Sequence, residues 1–468
     1  MATQLALSFY QTDKLEEQAV RLTGNSVENL VTSLSGDLNF QDNVKDAHLL
    51  HKVHSFPAKF PPQLPCKFIL ELTDVGAIVL DSMMGSGTTV LEAFLHGRQA
   101  IGFDIDPLAM LISRVKIESF STSELNVAGK RILKEAQKIV RLYPELLAAD
   151  KRKRFNEKTI EFLNYWFTEE VQMELLALLA EIEKIDNEKI KDFFKLIFSS
   201  IIITKTGGVS LALDLAHTRP HKAKTVFSKT GKVLFGDENE KKRHLVKSLR
   251  SPLDEFEKKL KQNLRGVIET APSNLGPIIN FGNAQSLALP PNSVDLIVTS
   301  PPYVSNAIDY MRAHKFSLVW FGYPIENLMK KRKTYIGGEG FVDLPQIELP
   351  QSVETLVTEI RQKSKAKSVS LRRYYVEMTL VLQEMFRVLK SEKSAIVVVG
   401  NSILAGHDVQ IEDSLVEIGK KIGFDVPIVG IRQLDRNRRM MPAGSSVDMS
   451  SQIQQRMYEE FVIGFYKP

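Results

Sequence analysis

The sequence predicts an α/β protein in which a mainly helical domain is inserted into a parallel sheet. Residues 77–104 read as strand, glycine-containing turn, helix and strand, which is the order of a nucleoside-binding βαβ unit. Residues 294–299 are largely apolar and read as a second buried strand. Between these two stretches, from about 120 to 270, apolar residues recur at spacings of three and four, which indicates helices.

Length and composition limit the class of protein. A chain of 468 residues has room for roughly two or three domains, and its 43% hydrophobic and 25% charged content is ordinary for a globular protein. The single cysteine, Cys66, excludes a disulfide framework and a cysteine-rich zinc site, and it fits a reducing compartment. The first residues lack the pattern of a signal peptide, and no apolar run reaches about 18 residues. We therefore expect a cytoplasmic protein with no membrane span and no metal centre.

A cofactor-binding turn is predicted at residues 82–89, directly after the first strand. That strand ends in Asp81, and Gly85 and Gly87 then let the backbone approach a ligand closely, ahead of a helix N-terminus. The next strand ends in Asp104. The sequence separation between Gly87 and Asp104 is close to the roughly 20 residues at which an acid reaches ribose hydroxyls. The complete unit therefore predicts a bound nucleoside.

Single positions exclude two other nucleotide motifs. A phosphate loop requires lysine where this chain has Thr88, and the dinucleotide fingerprint requires a third glycine where it has Val90. The acid at Asp81 also disfavours a pyrophosphate, because like charges repel. S-adenosylmethionine meets the remaining requirements, with its adenosine near Asp104, its ammonium group near Asp81 and no phosphate.

A second candidate site follows the strand at 294–299. Ser300-Pro301-Pro302-Tyr303 ends that strand, and the prolines lack N–H groups, so nearby carbonyls stay free to accept from other donors. Open α/β sheets bind their ligands at the carboxyl ends of strands. The tetrapeptide therefore suits a flat ring with an exocyclic amino group, on which a tyrosine can stack. On these four residues alone, a strand-ending turn with a packing tyrosine explains the pattern equally well.

Basic residues concentrate in the helical insert and in two later segments, which indicates a surface for phosphates. The irregular stretch at 210–221 is the preferred DNA-facing element of the insert. A segment at about 325–370 shows little apolar periodicity, and we expect a mobile basic loop, which fits closure over a duplex and an ordinary flexible insertion equally well. Any single cluster also fits an ordinary solvated helix face. The candidate DNA-contacting residues are Arg219, His221, Lys222, Lys331, Arg332, Arg436, Arg438 and Arg439.

Three motifs together resemble those of the DNA amino-methyltransferases, which act on N4 of cytosine or N6 of adenine. They are Asp81-Ser-Met-Met-Gly-Ser-Gly-Thr-Thr89, Gly102-Phe-Asp104-Ile-Asp106-Pro107 and Asp295-Leu-Ile-Val-Thr-Ser-Pro-Pro-Tyr303. The resemblance covers residues 51–118 and 275–468, approximately. It implies a Rossmann-like sheet of seven strands with the last one antiparallel. It also implies S-adenosylmethionine as the methyl donor and a target base flipped out of double-stranded DNA.

The same resemblance implies roles for individual residues. Ser300, Pro301, Pro302 and Tyr303 are implied to be catalytic, with Ser300 and the Pro301 carbonyl accepting from the amine and Tyr303 stacking on the base. Family members with serine before Pro-Pro-Tyr mostly modify cytosine N4, so we expect that reaction here. Asn283 stands where the family often has an aspartate near the adenine. The residues implied to bind the cofactor are Phe60, Asp81, Met83, Gly85, Gly87, Thr88, Asp104, Ile105, Asn283 and Ala284.

The expected domain organisation is cofactor motif, recognition region and catalytic motif. We expect an N-terminal extension at 1–50, a cofactor half at 51–120, a helical target-recognition insert at 121–270 and a target-base half at 271–468. Three alternatives stay open: an adenine-N6 enzyme, an RNA amino-methyltransferase and a non-catalytic DNA-binding subunit. Double-stranded DNA is the expected partner, which would place the protein at the nucleoid, and a cognate restriction endonuclease is a further candidate.

Overall fold

The computed structural model describes most of the chain. The described parts are residues 26–40, 48–56, 60–204, 208–213, 225–228, 230–236, 246–272, 276–304, 310–338, 345–434 and 459–468. In these parts, no helix is both long enough and apolar enough to cross a bilayer.

Strands and helices alternate near both ends of the chain, and helices dominate between them. The strands are β1 (Ile78–Asp81), β2 (Gln99–Asp104), β3 (Thr225–Phe227), β4 (Val233–Phe235), β5 (Val246–Ser248), β6 (Ile278–Phe281), β7 (Val294–Thr299), β8 (Leu389–Gly400), β9 (Ile403–Leu404), β10 (His407–Asp408), β11 (Asp425–Gln433) and β12 (Glu459–Lys467). The α-helices are α1 (Val27–Ser35), α2 (Gln63–Leu72), α3 (Thr88–Leu95), α4 (Pro107–Lys116), α5 (Thr122–Leu142), α6 (Pro144–Arg154), α7 (Glu157–Trp166), α8 (Glu169–Glu183), α9 (Glu188–Ile202), α10 (Pro252–Asn263), α11 (Tyr310–Leu318), α12 (Ile325–Lys331), α13 (Gln351–Lys363), α14 (Lys365–Val388) and α15 (Ile411–Ile422).

Seven strands form the central sheet, in the order β11-β12-β8-β7-β1-β2-β6. The pairings from β8 to β6 are parallel, whereas β12 is antiparallel to both of its neighbours. The predicted α/β fold, with a seven-stranded Rossmann-like sheet and an antiparallel last strand, is therefore confirmed.

Apolar side chains alternate along the central strands and bury both faces of the sheet. Val79 and Leu296 belong to one hydrophobic cluster, whereas their chain neighbours Leu80 and Ile297 belong to another. Each of these four side chains is at most 1% exposed. A parallel sheet is normally covered on both faces in this way. Polar side chains are consequently left to the strand ends, where the candidate site lies.

The insert is mainly helical, as predicted, and it packs on the helices that follow β7. It also contains a small sheet that the sequence analysis did not predict, with β3 between β4 and β5. The Trp320 ring joins the two regions, because its centroid lies 5.3 Å from that of Phe167 and 6.2 Å from that of Phe198. Insert helices and sheet-covering helices therefore share one hydrophobic core.

The segment expected to be an irregular loop at about 325–370 is largely helical, which corrects that prediction. It contains α12, a short 3-10 turn at Arg332–Thr334, α13 and the start of α14. Val353, Val357 and Ile360 recur at helical spacing and are buried in α13. The surrounding charges hid this short periodicity. Residues 339–344 of the segment lie outside the described parts.

An N-terminal helix packs across the last strands of the sheet. Ser26 caps α1 by accepting from the Asn29 N–H at 3.2 Å. Leu30 and Leu34 of α1 are buried over Gly464 of β12, where an added Cβ would fall 2.4 Å from Leu34 Cδ1. The sequence analysis gave no role to this region, and the structure shows that part of it completes the core over β11 and β12.

Substituting Gly464 with alanine is expected to destabilise the protein by about 1–3 kcal/mol, because the new methyl group overlaps a packed leucine. Adding Leu34→Ala should recover part of that loss by opening space. Urea unfolding followed by circular dichroism measures both changes.

Gly276→Ala serves as the matched control, since no atom lies within 4 Å of the Cβ that it adds. If Gly464→Ala unfolds at the same urea concentration as this control, α1 does not pack on β12 as described.

Candidate active site

The two predicted site motifs meet at one rim of the sheet. β1 and β7 are neighbours, with Val79 opposite Leu296 and Leu80 opposite Ile297. At the strand ends, the Thr299 hydroxyl donates to Asp81 Oδ1 at 2.8 Å across 218 residues of sequence. The glycine turn after β1 and the Ser-Pro-Pro-Tyr turn after β7 therefore leave the sheet side by side.

The turn after β1 has a backbone that favours glycine. Gly85 and Gly87 have φ angles of +49° and +70°, in the left-handed region where side chains are strained. A Cβ on Gly87 would also fall 2.5 Å from Ser113 Oγ, so α4 leaves no room for one. Thr88 begins α3, whose first N–H groups have no partner within the helix. The turn thus presents bare backbone at the rim.

Asp104 holds the glycine turn against the end of β2. Its Oδ2 accepts from the Gly85 N–H at 2.8 Å, and its Oδ1 accepts from the Asp106 N–H at 2.8 Å. Burial, followed by the nearby Asp106 carboxylate, raises the pKa of Asp104 to about 7. Burial also raises the pKa of Asp81 to about 6, although Thr299 donates to it. Both acids would gain from a cation at the rim.

A third acid at the rim, Asp106, is already paired within the protein. Its Oδ2 lies 2.7 Å from His314 Nδ1 and accepts from the Tyr335 hydroxyl at 2.7 Å. Burial works to raise its pKa, but His314 and the hydrogen bonds from Tyr335 and the Ala109 N–H outweigh burial and lower the pKa to about 2. Asp106 therefore fixes α11 and the segment after α12 beside the cofactor turn.

Aromatic side chains line the turn on one side. A Cβ built on Gly85 would lie 3.3 Å from the Phe56 ring. The Phe56 centroid lies 5.4 Å from that of Tyr310 and 5.1 Å from that of His314. Sequence reasoning missed these three residues. Phe56 was identifiable as an aromatic residue in the proline-rich stretch before α2, whereas nothing local singled out Tyr310 or His314.

The remaining predicted cofactor residues lie in several places. Phe60 is partly buried and packs against the main hydrophobic core. Met83 and Ile105 are partly buried in the turns that follow β1 and β2. Asn283 and Ala284 follow β6, with Ala284 buried and the Asn283 side chain accepting from the Gln285 N–H at 3.0 Å.

The turn after β7 is anchored through its tyrosine. Pro301 is buried, whereas Ser300, Pro302 and Tyr303 are partly buried. The Tyr303 hydroxyl donates to Glu460 Oε1 at 3.0 Å. Burial, followed by the Glu460 carboxylate, raises the pKa of Tyr303 well above its usual value. The phenol therefore stays protonated at neutral pH, and its ring is held in one orientation.

Of the predicted DNA-contacting residues, only Lys331 and Arg332 lie in the described parts of the chain. Lys331 Nζ lies 4.5 Å from the centroid of the Phe281 ring, and Phe281 pairs with Asp104 in the register of β2 and β6. Lys331 therefore lies at the cofactor side of the rim. The other six, Arg219, His221, Lys222, Arg436, Arg438 and Arg439, are outside the described residues.

One cluster of metal-ligand side chain types lies behind α3 in the described structure. Cys66, Glu92 and His96 are buried, with donor atoms within 4.8 Å of one another. His51 Nε2 lies 2.6 Å from Glu92 Oε1, and His96 Nδ1 donates to the Glu92 carbonyl at 2.8 Å. Burial raises the pKa of Glu92 to about 8. We interpret this cluster as a hydrogen-bonded clamp between α2, α3 and the segment before them.

The residues at the rim fit S-adenosylmethionine. The glycine turn offers open backbone, and two acids with raised pKa values, Asp81 and Asp104, suit a sulfonium or ammonium group. Within the described residues, the buried Ser82 hydroxyl has no hydrogen-bond partner, as expected beside a polar ligand. The fold and this site together define an S-adenosylmethionine-dependent methyltransferase.

Comparison with known proteins finds one matching family model and several similar proteins. Residues 10–114 match a model of N6/N4 methyltransferases described as DNA methylase. The chain is 24% identical to the Type II methyltransferase M.MvaI of Kocuria varians over 91% of this chain and 96% of that protein. It is 23% identical to M.MjaII of Methanocaldococcus jannaschii, covering 88% and 83%. These matches confirm the resemblance to the DNA amino-methyltransferases that the three motifs carry.

Similarity to solved structures is weak over the whole chain. A TehB-like S-adenosylmethionine-dependent methyltransferase from Corynebacterium glutamicum aligns with a TM-score of 0.27 and 8% identity, over 86% of this chain and 87% of that one. The order and directions of the strands carry the fold assignment instead.

Binding of S-adenosylmethionine is expected to weaken as the pH falls through 7. The ligand is cationic and favours ionised acids, whereas burial raises the pKa of Asp104 to about 7 in the free protein. Binding therefore releases a proton at low pH. Between about pH 8 and pH 6 the affinity should fall about tenfold, since one pKa unit corresponds to about 1.4 kcal/mol. Calorimetric titration at constant ionic strength measures the change.

Asp104→Asn is expected to bind more weakly at about pH 8 and to show a flatter pH profile. Asp74→Asn is the matched control, because Asp74 is exposed just before β1, at the opposite end of that strand. A profile as steep in Asp104→Asn as in the control would exclude Asp104 as the titrating group.

Proposed function

We propose that this chain is a site-specific DNA methyltransferase that transfers a methyl group from S-adenosylmethionine to N4 of cytosine. The observation that carries the proposal is Ser300 beside the cofactor turn, directly after the Thr299 that bonds Asp81. Family members with serine at this position mostly act on cytosine N4. Aspartate or asparagine in its place marks most adenine-N6 enzymes.

In the proposed mechanism the turn after β7 activates the amine by accepting hydrogen bonds from it. The lone pair of an exocyclic amine is delocalised into the ring, which makes it a poor nucleophile. Ser300 and the Pro301 carbonyl each accept one hydrogen bond from the amine. The nitrogen lone pair then points toward the methyl donor. Pro302 has no N–H, so it adds no competing donor at this turn. Tyr303 stacks on the flipped base, a contact of about 1–3 kcal/mol.

The cofactor side of the proposed mechanism is positional. S-adenosylmethionine supplies a methyl group on a sulfonium that is a good leaving group, so orientation does most of the work. Asp104 would accept from the ribose hydroxyls, and Asp81 would attract the charged methionine end. Gly85 and Gly87 admit the ligand close to the backbone. Asn283 and Ala284 lie after β6, where the adenine is proposed to bind.

We further propose that the insert reads the DNA sequence, with basic side chains on it and on the later segments contacting phosphates. Arg332 remains a candidate phosphate contact, whereas Lys331 is also placed to close over the cofactor. The relatives' names as Type II methyltransferases support a cognate restriction endonuclease as a partner. Action on chromosomal DNA would place the protein at the nucleoid.

Ser300→Ala and Tyr303→Ala are each expected to reduce methyl transfer by about 10²-fold or more, because each removes a contact made to the reacting base. S-adenosylmethionine affinity should stay within about twofold of wild type, since both residues lie outside the glycine turn. Single-turnover transfer of labelled methyl groups to a mixed-sequence duplex measures the rate, and calorimetry measures the affinity.

Ser293→Ala is the matched control, as Ser293 is partly exposed just before β7 and its hydroxyl donates to the Pro290 carbonyl. Full transfer rates in both rim variants would refute the assigned roles.

Nucleoside digestion of the product and mass spectrometry identify the modified base. N4-methylcytosine is the expected product. N6-methyladenine would instead indicate that the chain methylates adenine N6. Competition by structured RNA stronger than that by duplex DNA would favour the RNA alternative. Absence of any transferred methyl group would favour a non-catalytic subunit.

A further inference from the structure

The last two strands of the sheet reach the catalytic turn through one acidic side chain. Glu460 is the second residue of β12 and lies opposite Gly400 at the end of β8, which places it at the rim. Its Oε1 accepts from the Tyr303 hydroxyl at 3.0 Å, across 157 residues of sequence. No motif marks Glu460 in the sequence, and the family resemblance assigns it no role.

The second oxygen of Glu460 is paired with an arginine of the neighbouring strand. Arg432 lies directly opposite Glu460 in the register of β11 and β12, and its Nη1 contacts Glu460 Oε2. Arg432 is 6% exposed, so the guanidinium is enclosed rather than solvated. A charged pair shielded from water gives stronger and more directional hydrogen bonds than an exposed one.

Hydrogen-bond directions along this chain of groups fix the Tyr303 hydroxyl. An ionised carboxylate only accepts, so the single hydrogen of the tyrosine goes to Glu460. A guanidinium only donates, so Arg432 holds the other oxygen of the same carboxylate. The Tyr303 ring is therefore held both by the backbone of its turn and by its hydroxyl.

We propose that Arg432 and Glu460 are positioning residues that orient the Tyr303 hydroxyl and thereby hold the tyrosine ring in place to stack on the target base. This inference rests on the proposed function. It adds two residues of β11 and β12 to the active site and explains why the tyrosine of the motif has a tethered hydroxyl as well as a stacking ring.

The adjacent cross-strand pair provides a built-in comparison. Glu459 and Gln433 face each other one residue away in the same two strands, and Gln433 Nε2 donates to Glu459 Oε1 at 2.8 Å. This pair links β11 to β12 without a described contact to Tyr303. A purely structural role for Glu460 would therefore resemble that of Glu459.

The test is a double-mutant cycle between the pair and the tyrosine hydroxyl. Tyr303→Phe keeps the ring and removes the hydroxyl. Arg432→Met with Glu460→Met replaces the charged pair by apolar side chains, which avoids an unpaired buried charge. Each change is expected to slow single-turnover methyl transfer about tenfold, and their combination should be no slower than either alone. S-adenosylmethionine affinity and the unfolding temperature serve as checks on folding.

Two further variants sharpen the comparison. Glu460→Gln keeps an oxygen that accepts from Tyr303 and should retain a rate between wild type and the methionine pair. Glu459→Gln is the matched control and should transfer at the wild-type rate. If the methionine pair does not fold, Glu460→Gln takes its place in the cycle under the same criterion.

Wild-type transfer in the methionine pair overturns the inference while leaving the proposed function intact. So does a loss that multiplies with that of Tyr303→Phe, because independent effects multiply. A wild-type chain that transfers no methyl group overturns the proposed function itself, and the inference with it.

Discussion

The hydrogen bond from Thr299 to Asp81 joins the two halves of the site, and the rest of the rim depends on it. Methyl transfer requires the donor and the amine to be held within fractions of an ångström of a productive geometry. Here the two turns that supply them begin at the ends of adjacent, buried strands. Strand ends in a packed sheet move little, so the spacing between the turns is set by the β1–β7 register.

The three acids of the rim differ in their surroundings and therefore in their pKa values. Asp106 is paired with His314 and Tyr335, which lower its pKa and make it part of the architecture. Asp81 and Asp104 accept from neutral donors, and burial raises their pKa values. A cationic ligand would stabilise the ionised forms of these two acids and not that of the third. The site is therefore electrostatically prepared for a sulfonium cofactor rather than for a phosphate.

Sequence reasoning worked where the chemistry is local. The strand, glycine turn and acid from β1 to β2 lie within one short stretch, and so does the turn after β7, because their spacing is fixed by covalent connection. It failed where contacts join distant parts of the chain. Glu460 meets Tyr303 only because β12 returns between β11 and β8, and that contact leaves no local signal in the sequence. Phe56 lies against Gly85, and only its place in the proline-rich stretch marked it.

The insert is tied to the catalytic half by polar contacts as well as by its core. His54 Nε2 lies 2.9 Å from Ser199 Oγ in α9, and that hydroxyl donates to Ser317 Oγ in α11 at 2.9 Å. All three side chains are at most 4% exposed. Separating α9 from α11 would therefore leave buried polar groups without hydrogen-bond partners. α11 also carries His314, the partner of Asp106. A displacement of the insert by bound DNA would therefore act directly on the helix that braces the cofactor turn.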